Sequence, residues 1–247
     1  MKRILHSFVR PVLRRLGLDL IKYSFFPRDF DALSIRICES VKNYTMTSAE
    51  RINALVEAVK YIIKSNIDGA FVECGVWKGG SVMAIALMLR EMKQEREIYL
   101  YDTFSGMCAP LPVDGGEAQR LFLKTKTSQD SSNWLQSPIE EVERNVFATG
   151  YPKDRFHFIK GKVEDTLPEQ MPQRIALLRL DTDFYESTKH ALFHLFPLVS
   201  PKGVVIIDDY GLWPGAKKAV DEYISQNRIS ILLNRIDSQG RIAIKNP

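Results

Sequence analysis

The sequence predicts an α/β fold in which an open, mostly parallel sheet of seven strands carries helices on both faces. Short apolar strands alternate with helical segments along most of the chain, a pattern typical of a parallel sheet that is buried on both sides. The last two strands are joined by a short turn, so one of them runs antiparallel. Several strands end in acidic residues, at the edge where sheets of this kind bind ligands.

The N-terminal half of the 247-residue chain supplies two helices and two strands of this pattern. Apolar residues recur at helical spacing over 45–65, with Ser48 as the candidate N-cap. The stretch "AFVECG" (70–75) reads as a buried strand, and "GGSVMAIALMLREM" (79–92) as a helix that opens directly from glycines. The next strand is "EIYLYDTF" (97–104).

A long segment rich in Gly, Pro, Ser and Thr, at about 105–136, separates the two halves of the pattern. A stretch of that length without strong periodicity predicts a lid, an insert or a disordered loop. A helix is expected over 137–150, with Ser137 as cap and Pro138 at its first position. The remaining predicted elements are the strands 155–161, 174–183 and 203–210, the helices 185–199 and 214–227, and two final strands around a turn at 238–240. This order is Rossmann-like.

The net charge of +4 is concentrated at the N-terminus. Residues 1–28 contain seven basic residues and one acid, so the rest of the chain carries about two negative charges (4 − 6 = −2). A basic face on the main domain would be expected of a nucleic-acid-binding protein, and the charge distribution argues against that class. We therefore predict a basic, amphipathic arm over 1–32 and a single domain over 33–247.

The arm lacks the features of an export signal or of a membrane span, because arginines interrupt its apolar residues. Two uses of it remain open: peripheral contact with an anionic membrane surface, or packing on the domain or a second subunit in a homo-oligomer. Three scattered cysteines without CxxC or Cys/His spacing predict neither a disulfide framework nor a zinc site, and favour a cytoplasmic setting.

The glycine-rich stretch "VECGVWKGGS" (72–81) lies between a predicted strand and a helix. Glycines allow a ligand to approach the backbone, and the helix start favours polar or anionic groups. Glu73 could hold a ligand cation, and Asp102, at the end of the next strand, suits the two hydroxyls of a ribose. The alternative for each is structural: a common strand-to-helix turn, and an Asp that caps a turn. The pattern is neither GxGxxG nor a P-loop.

Two later strands end in paired acids, "LDTD" with Asp181 and Asp183 and "IIDD" with Asp208 and Asp209. Oxygen ligands from two strand ends suit a hard divalent cation such as Mg²⁺, Mn²⁺ or Ca²⁺. Without a cation, such acids would repel one another and raise one another's pKa. The alternative is that each pair caps its following helix independently. The histidines show no metal-ligand spacing.

Seven motifs together resemble the macrocin O-methyltransferase family, from about residue 33 to the C-terminus. They are "YTMTSAERINALVEAVKYI", "VECGVWKGGS", "YDTFSGM", "GKVEDTLP", "LLRLDTDFYESTKHAL", "IIDDYG" and "GAKKAVDEY". The resemblance implies a class I, S-adenosylmethionine-dependent methyltransferase that needs a divalent metal, typically Mg²⁺. The arm and residues 108–136 match least, so the resemblance says least about the acceptor.

The resemblance also implies a role for each candidate residue. The methionine part of S-adenosyl-L-methionine is expected at Glu73, Gly75, Gly79 and Ser81, with Thr45 and Met46 closing over it. Asp102 and the nearby Ser105 are expected at the ribose, and Glu164 and Asp165 near the adenine. The metal ligands are expected to be Asp181, Asp208 and Asp209, and the general base Asp183. A base of this kind would take the proton of an acceptor hydroxyl as the oxygen attacks the methyl group.

The predicted acceptor is a small molecule or glycan, with a sugar cis-diol of a natural product or polysaccharide as the first choice. A catechol-type phenol is the alternative acceptor. A different enzyme class also remains open, because "DTD" after an apolar strand resembles the DxD motif of metal-dependent glycosyltransferases. Against that class stand the early glycine loop with Asp102 and the second acidic pair. A non-enzymatic binding module is the remaining alternative, which failure to bind cofactor or metal would indicate.

Overall fold

The computed structural model describes residues 26–246. The chain divides into two compact units, Met1–Phe30 and Asp31–Pro247. Of the first unit only residues 26–30 are described, and the rings of Phe26 and Phe30 lie 6.1 Å apart there. The predictions for the basic arm, whether membrane contact or oligomer formation, fall mainly on residues 1–25 and therefore lie outside the described residues.

The second unit is built on one seven-stranded sheet, as predicted. Its strands are β1 (Ala70–Cys74), β2 (Ile98–Asp102), β5 (Phe156–Lys160), β6 (Ile175–Leu180), β7 (Val199–Ile207), β8 (Asn234–Arg235) and β9 (Arg241–Ile244). Their order across the sheet is β5-β2-β1-β6-β7-β9-β8. Neighbours from β5 to β7 are parallel, and β9 is antiparallel to both β7 and β8. Every residue of β1 and β6 is buried, because helices cover both faces of the sheet.

The helices form two groups. The first contains α1 (Ala32–Val41), α2 (Ala49–Lys64) and α3 (Gly80–Glu91), which contact one another, and α5 (Ile139–Phe147), which contacts α3. The second contains α6 (Val163–Thr166), α7 (Tyr185–Leu195) and α8 (Pro214–Gln226). Among the described residues, no helix has the length and apolar composition needed to cross a membrane.

Local sequence explains where these helices begin. At α2, the Ser48 hydroxyl accepts a hydrogen bond from the Arg51 backbone N–H at 3.1 Å, so Ser48 is the predicted N-cap. At α5 the prediction was one residue too early: Pro138 is the N-cap and the helix begins at Ile139. Because proline has no N–H to lose, it is tolerated at either position.

The segment predicted as a lid or loop has a structure of its own. It contains α4 (Gly116–Thr125) and a small hairpin made of β3 (Lys126–Ser128) and β4 (Ser131–Ser132). We refer to residues 105–136 as the insert. The Gly106 backbone fits closely against this hairpin, since a Cβ there would lie 2.0 Å from the carbonyl oxygen of Ser132. The insert is therefore packed rather than irregular.

The strand order reverses between β1 and β6. From β1 the chain continues to β2 and β5 on one side, whereas β6 and β7 lie on the other. A crevice opens at such a switch point beyond the carboxyl ends of the strands, and ligands bind there. The glycine loop after β1 and the acids after β6 and β7 all face this crevice.

Candidate active site

A cavity of about 450 Å³ occupies the crevice at the carboxyl ends of the strands. Its size is that of a small-molecule site. Twelve of the residues that the sequence singled out line this cavity: Thr45, Met46, Glu73, Gly75, Ser81, Asp102, Glu164, Asp165, Asp181, Asp183, Asp208 and Asp209. Gly79 and Ser105 are outside the cavity lining.

The glycine loop is held in place by Asp102. One carboxylate oxygen accepts from the backbone N–H groups of Val76, at 2.6 Å, and Trp77, at 3.1 Å. The other accepts from the Phe104 N–H at 2.8 Å. The Thr103 hydroxyl lies 3.4 Å from this second oxygen, but its single hydrogen is donated to the Gly106 carbonyl at 2.7 Å. Three backbone donors therefore leave room for one more on a carboxylate, which offers about four acceptor positions. Burial raises the pKa of Asp102, and the backbone N–H groups oppose that shift.

The loop can approach β6 only because residue 75 is glycine. Gly75 has φ +83°, and a Cβ there would lie 1.9 Å from the carbonyl oxygen of Asp181. The Asp181 N–H in turn donates to the Cys74 carbonyl at 2.8 Å. Backbone from the ends of β1 and β6 therefore forms one wall of the cavity without a side chain between them.

Glu73 has a carboxylate oxygen that is buried without a partner. The residue is 1% exposed, and its Oε1 accepts from Arg179. Its Oε2 is buried without a hydrogen-bond partner among the described residues. Burial raises the pKa of Glu73 to about 8, although the charge of Arg179 lowers it. An unpartnered acidic oxygen beside a cavity is suited to receive an ammonium group of a ligand.

The start of α3 brings a second segment of the chain to the cavity. Gly79, at φ +88°, is the N-cap of α3, and the Gly80 N–H donates to the Tyr44 carbonyl at 3.0 Å. That contact sets Thr45 and Met46 beside the helix start. Met46 is 63% exposed although it lines the cavity, so it lies at the rim.

Three carboxylates in the cavity meet the requirements of a cation site. Asp181, Asp208 and Asp209 each offer an oxygen, and these oxygens lie within 4.8 Å of one another. An all-oxygen, acidic donor set fits Mg²⁺ or a similar hard cation. Burial raises the pKa of Asp208 to about 6 and that of Asp209 well above its ordinary value, and neighbouring acids add to both shifts.

Two buried arginines, which the sequence reasoning did not single out, hold the acids together. Arg179, one residue before the end of β6, donates to Glu73, to Asp181 at 2.8 Å and to Asp208 at 2.5 Å. Arg51, from α2, donates to the other oxygen of Asp208. The cluster is therefore partly neutralised by the protein itself, which allows several acids to be buried side by side.

Asp183 differs from the other acids in its contacts. Its backbone has φ +60°, a conformation that non-glycine residues rarely adopt. Its Oδ1 accepts from the Trp213 indole N–H at 2.6 Å, and its own N–H donates to Asp209 at 3.1 Å. Burial raises the pKa of Asp183 to about 8, and the nearby Asp181 adds to the shift. Strained backbone and a raised acid pKa are both common at functional sites.

The insert forms another wall of the cavity. It contributes the lining residues Met107, Cys108, Leu111, Asp114, Asp130 and Leu135. Asp130 pairs with Lys162, which follows β5, so the hairpin of the insert is tied to the body beside Glu164 and Asp165. Apart from Met107, which ends the motif "YDTFSGM", these residues carried no sequence signal, because residues 108–136 match the resembled family least.

Comparison with known proteins finds a matching family and several relatives. A family model described as macrocin-O-methyltransferase (TylF) matches residues 38–243. A rhamnosyl-tetracenomycin 4'-O-methyltransferase from Streptomyces olivaceus is 34% identical over 80% of this chain and 74% of its own length. Demethyldecarbamoylnovobiocin O-methyltransferase from Streptomyces niveus is likewise 34% identical over 80% of this chain and 74% of its own length.

A solved structure, that of the O-methyltransferase NovP, matches with a TM-score of 0.75 and 32% identity over 83% of each chain. The fold and these matches together define a class I, S-adenosylmethionine-dependent O-methyltransferase. The chain belongs to the macrocin O-methyltransferase family. The glycosyltransferase and non-enzymatic alternatives are therefore wrong.

Proposed function

We propose that the protein transfers the methyl group of S-adenosylmethionine to a sugar hydroxyl, with a divalent cation bound at the acidic cluster and Asp183 as general base. The observation that carries this proposal is the position of Asp183 beside Asp181, Asp208 and Asp209 in one cavity with the glycine loop. The proposed acceptor is a small molecule, with a vicinal diol of a sugar as first choice. A catechol-type phenol is the alternative.

The cofactor's contacts follow from the polar groups left available in the cavity. The unpartnered Oε2 of Glu73 would accept from the ammonium group of the methionine part, beside Gly75 and Ser81. Asp102, with one acceptor position left, would receive a ribose hydroxyl, with Ser105 nearby. Glu164 and Asp165 would lie near the adenine, and Thr45 and Met46 would close over the methionine part.

The cation would be held by Asp181, Asp208 and Asp209, whose donor chemistry fits Mg²⁺. When bound, a divalent cation makes a coordinated hydroxyl more acidic. Asp181, Asp208 and Asp209 would also orient the acceptor by binding the second hydroxyl of its diol.

Asp183 would take the proton of the attacking hydroxyl. As the acceptor oxygen forms its bond to the methyl carbon, the carbon–sulfur bond breaks and the sulfonium becomes a neutral thioether. The proton passes to the Asp183 carboxylate, so charge and atoms balance. Because the leaving group is already activated, much of the remaining rate comes from holding the acceptor oxygen in line with the sulfur.

A sugar acceptor is supported by one relative, which methylates a rhamnosyl group on tetracenomycin. Another relative acts on demethyldecarbamoylnovobiocin. Both compounds are suitable first acceptors in an assay with methyl-labelled S-adenosylmethionine and MgCl₂. Simple catechols in the same assay test the phenol alternative.

Three variants separate the proposed roles. Asp183→Asn is expected to keep the affinity for S-adenosylhomocysteine and for Mn²⁺ but to lose turnover by about 100-fold or more. Asp209→Asn is expected to weaken Mn²⁺ binding. Asp221→Asn is the matched control, because Asp221 is outside the cavity lining, its side chain is 43% exposed, and it accepts from Tyr210 and Lys217. Near-normal turnover of Asp183→Asn would refute the base assignment. Turnover that is unaffected by EDTA would refute the metal requirement.

The ribose contact is tested by calorimetry. We expect the wild-type protein to prefer S-adenosylhomocysteine over its 2'-deoxy analogue, and Asp102→Asn to lose that preference. An unchanged preference would show that Asp102 acts only by holding Val76 and Trp77 in the glycine loop.

A further inference from the structure

The loop between β7 and α8 holds Asp183 at two points. Asp209, at the start of this loop, accepts the Asp183 backbone N–H through its Oδ2 at 3.1 Å. Trp213, at its end, donates its indole N–H to Asp183 Oδ1 at 2.6 Å. Because Asp183 has the unusual φ of +60°, surrounding contacts must keep it in this conformation.

The two carboxylate oxygens of Asp183 are made unequal by Trp213. An indole N–H can only donate, so it always occupies an acceptor position on Oδ1. Within residues 26–246, Oδ2 accepts no hydrogen bond, and Asp183 lines the cavity. A carboxylate that is fixed through one oxygen keeps the other free for a ligand in a defined position.

Trp213 is itself held by aromatic packing. Its ring lies 6.1 Å from that of Phe184 and 6.0 Å from that of Trp134, in edge-to-face arrangements. The backbone N–H of Trp213 donates to the Asp209 carbonyl at 3.0 Å. Trp134 belongs to the insert and precedes Leu135, which lines the cavity. Trp213 therefore connects Asp183 to the insert through rigid contacts.

We propose that Trp213 is a positioning residue, which fixes the Asp183 side chain so that Oδ2 is the atom that takes the acceptor's proton. This proposal rests on the proposed function, in which Asp183 is the general base. Asp183 without this hydrogen bond would keep its chemistry but lose its fixed orientation. Misplacing a reacting group in this way is expected to lower kcat by roughly 10- to 100-fold.

The first experiment detects the hydrogen bond in solution. The protein has three tryptophans, so a spectrum of ¹⁵N-labelled indole groups with S-adenosylhomocysteine present is simple to assign. We expect the Trp213 signal to be downfield and slow to exchange with solvent, and Asp183→Ala to remove both properties. An unchanged Trp213 signal in Asp183→Ala would overturn the proposal.

The second experiment tests positioning with a matched pair of variants. Trp213→Phe keeps an aromatic ring but removes the N–H, and Trp134→Phe makes the same change in the same aromatic cluster. Crystal structures with S-adenosylhomocysteine and Mg²⁺ are expected to show a changed or mobile Asp183 side chain in Trp213→Phe alone, with Asp181, Asp208 and Asp209 unmoved. The same Asp183 orientation in both variants would overturn the proposal.

Kinetics with the acceptor found in the labelled-methyl assay separates this inference from the function on which it rests. Trp213→Phe is expected to lower kcat with little change in KM for S-adenosylmethionine, and Trp134→Phe to stay within about twofold of wild type. Equal losses in both variants would refute positioning and indicate packing alone. If Asp183→Asn is fully active, the base assignment fails, whatever Trp213 does.

Discussion

Removing Arg179 should destabilise the folded protein strongly, because its side chain is 2% exposed and binds three acids. In Arg179→Met the chain keeps a residue of similar length but loses the positive charge. Leaving a buried acid without its cation typically costs about 3–5 kcal/mol in the free energy of unfolding. Three such losses do not add here. Asp208 keeps Arg51 as a partner, and Glu73, with a pKa raised to about 8, can keep its proton. We therefore expect a loss of about 3–5 kcal/mol in total.

Urea unfolding at pH 7.5 in EDTA, followed by circular dichroism, measures this loss. Arg174→Met is the matched control, because the Arg174 side chain is 69% exposed and, within residues 26–246, pairs with Asp68 alone, at 3.5 Å; a change within about 0.5 kcal/mol is expected there. In MgCl₂ the difference between wild type and Arg179→Met should narrow, since a cation at the same acids replaces part of the lost charge. A loss below about 1 kcal/mol, or one equal to the control, would refute the role given to Arg179.

Two further predictions concern Glu73 and Gly75, which both line the cavity. Burial raises the pKa of Glu73 from 4.5 to about 8, so its stabilising contribution is full below pH 4.5 and is lost as the pH rises through 8. In EDTA the Glu73 carboxyl should add a loss on the order of 1 kcal/mol per pH unit near pH 7 to the losses from Asp183 and Asp209, whose pKa values are also raised. Urea unfolding of Glu73→Gln should therefore give a slope that is shallower by about that amount, and equal slopes would contradict the assignment. Gly75→Ala would set a Cβ 1.9 Å from the Asp181 carbonyl oxygen, and we expect at least tenfold weaker binding of S-adenosylhomocysteine by calorimetry. Gly116→Ala, where a Cβ meets nothing within 4 Å, should bind normally, and equal affinities would count against the close approach.

Much of the sheet could be predicted because its strands carry a simple signal. β1 and β6 are buried throughout, so each appears as an apolar run that ends where the polar site begins, with one charged residue inside it, Glu73 in β1 and Arg179 in β6. The insert had no such signal. Its helix α4 buries only Ala118 and Phe122, and its hairpin strands have three and two residues. Elements this short are stabilised by tertiary packing rather than by local periodicity, so the sequence suggested a loop.

The acids of the site could be located from sequence because strand ends share one edge of a parallel sheet. The arginines that bind these acids could not be located in the same way. Arg179 stands within "LLRLDTD", where a single charge in an apolar run gives no hint that it points into a cluster of acids. Arg51 lies on the buried side of α2, among apolar residues of helical spacing. Both arginines acquire their role only when three strand ends and one helix are brought together.

The same limit explains why Asp183 could be separated from the other acids only by resemblance. In the sequence it is the second acid of "DTD", equivalent by spacing to any of its neighbours. In the folded chain Arg179 binds Asp181 and Asp208. Asp183 instead accepts a hydrogen bond from the indole N–H of Trp213, the residue immediately before α8. Against the effect of burial, the arginine charges lower the pKa of Asp208, which suits a cation ligand. Asp209 has no arginine partner within residues 26–246 and is assigned to the cation by position, because its oxygen lies within 4.8 Å of those of Asp181 and Asp208. A carboxylate bound by a neutral donor, as Asp183 is, keeps a raised pKa and can exchange a proton near neutral pH, which suits a base.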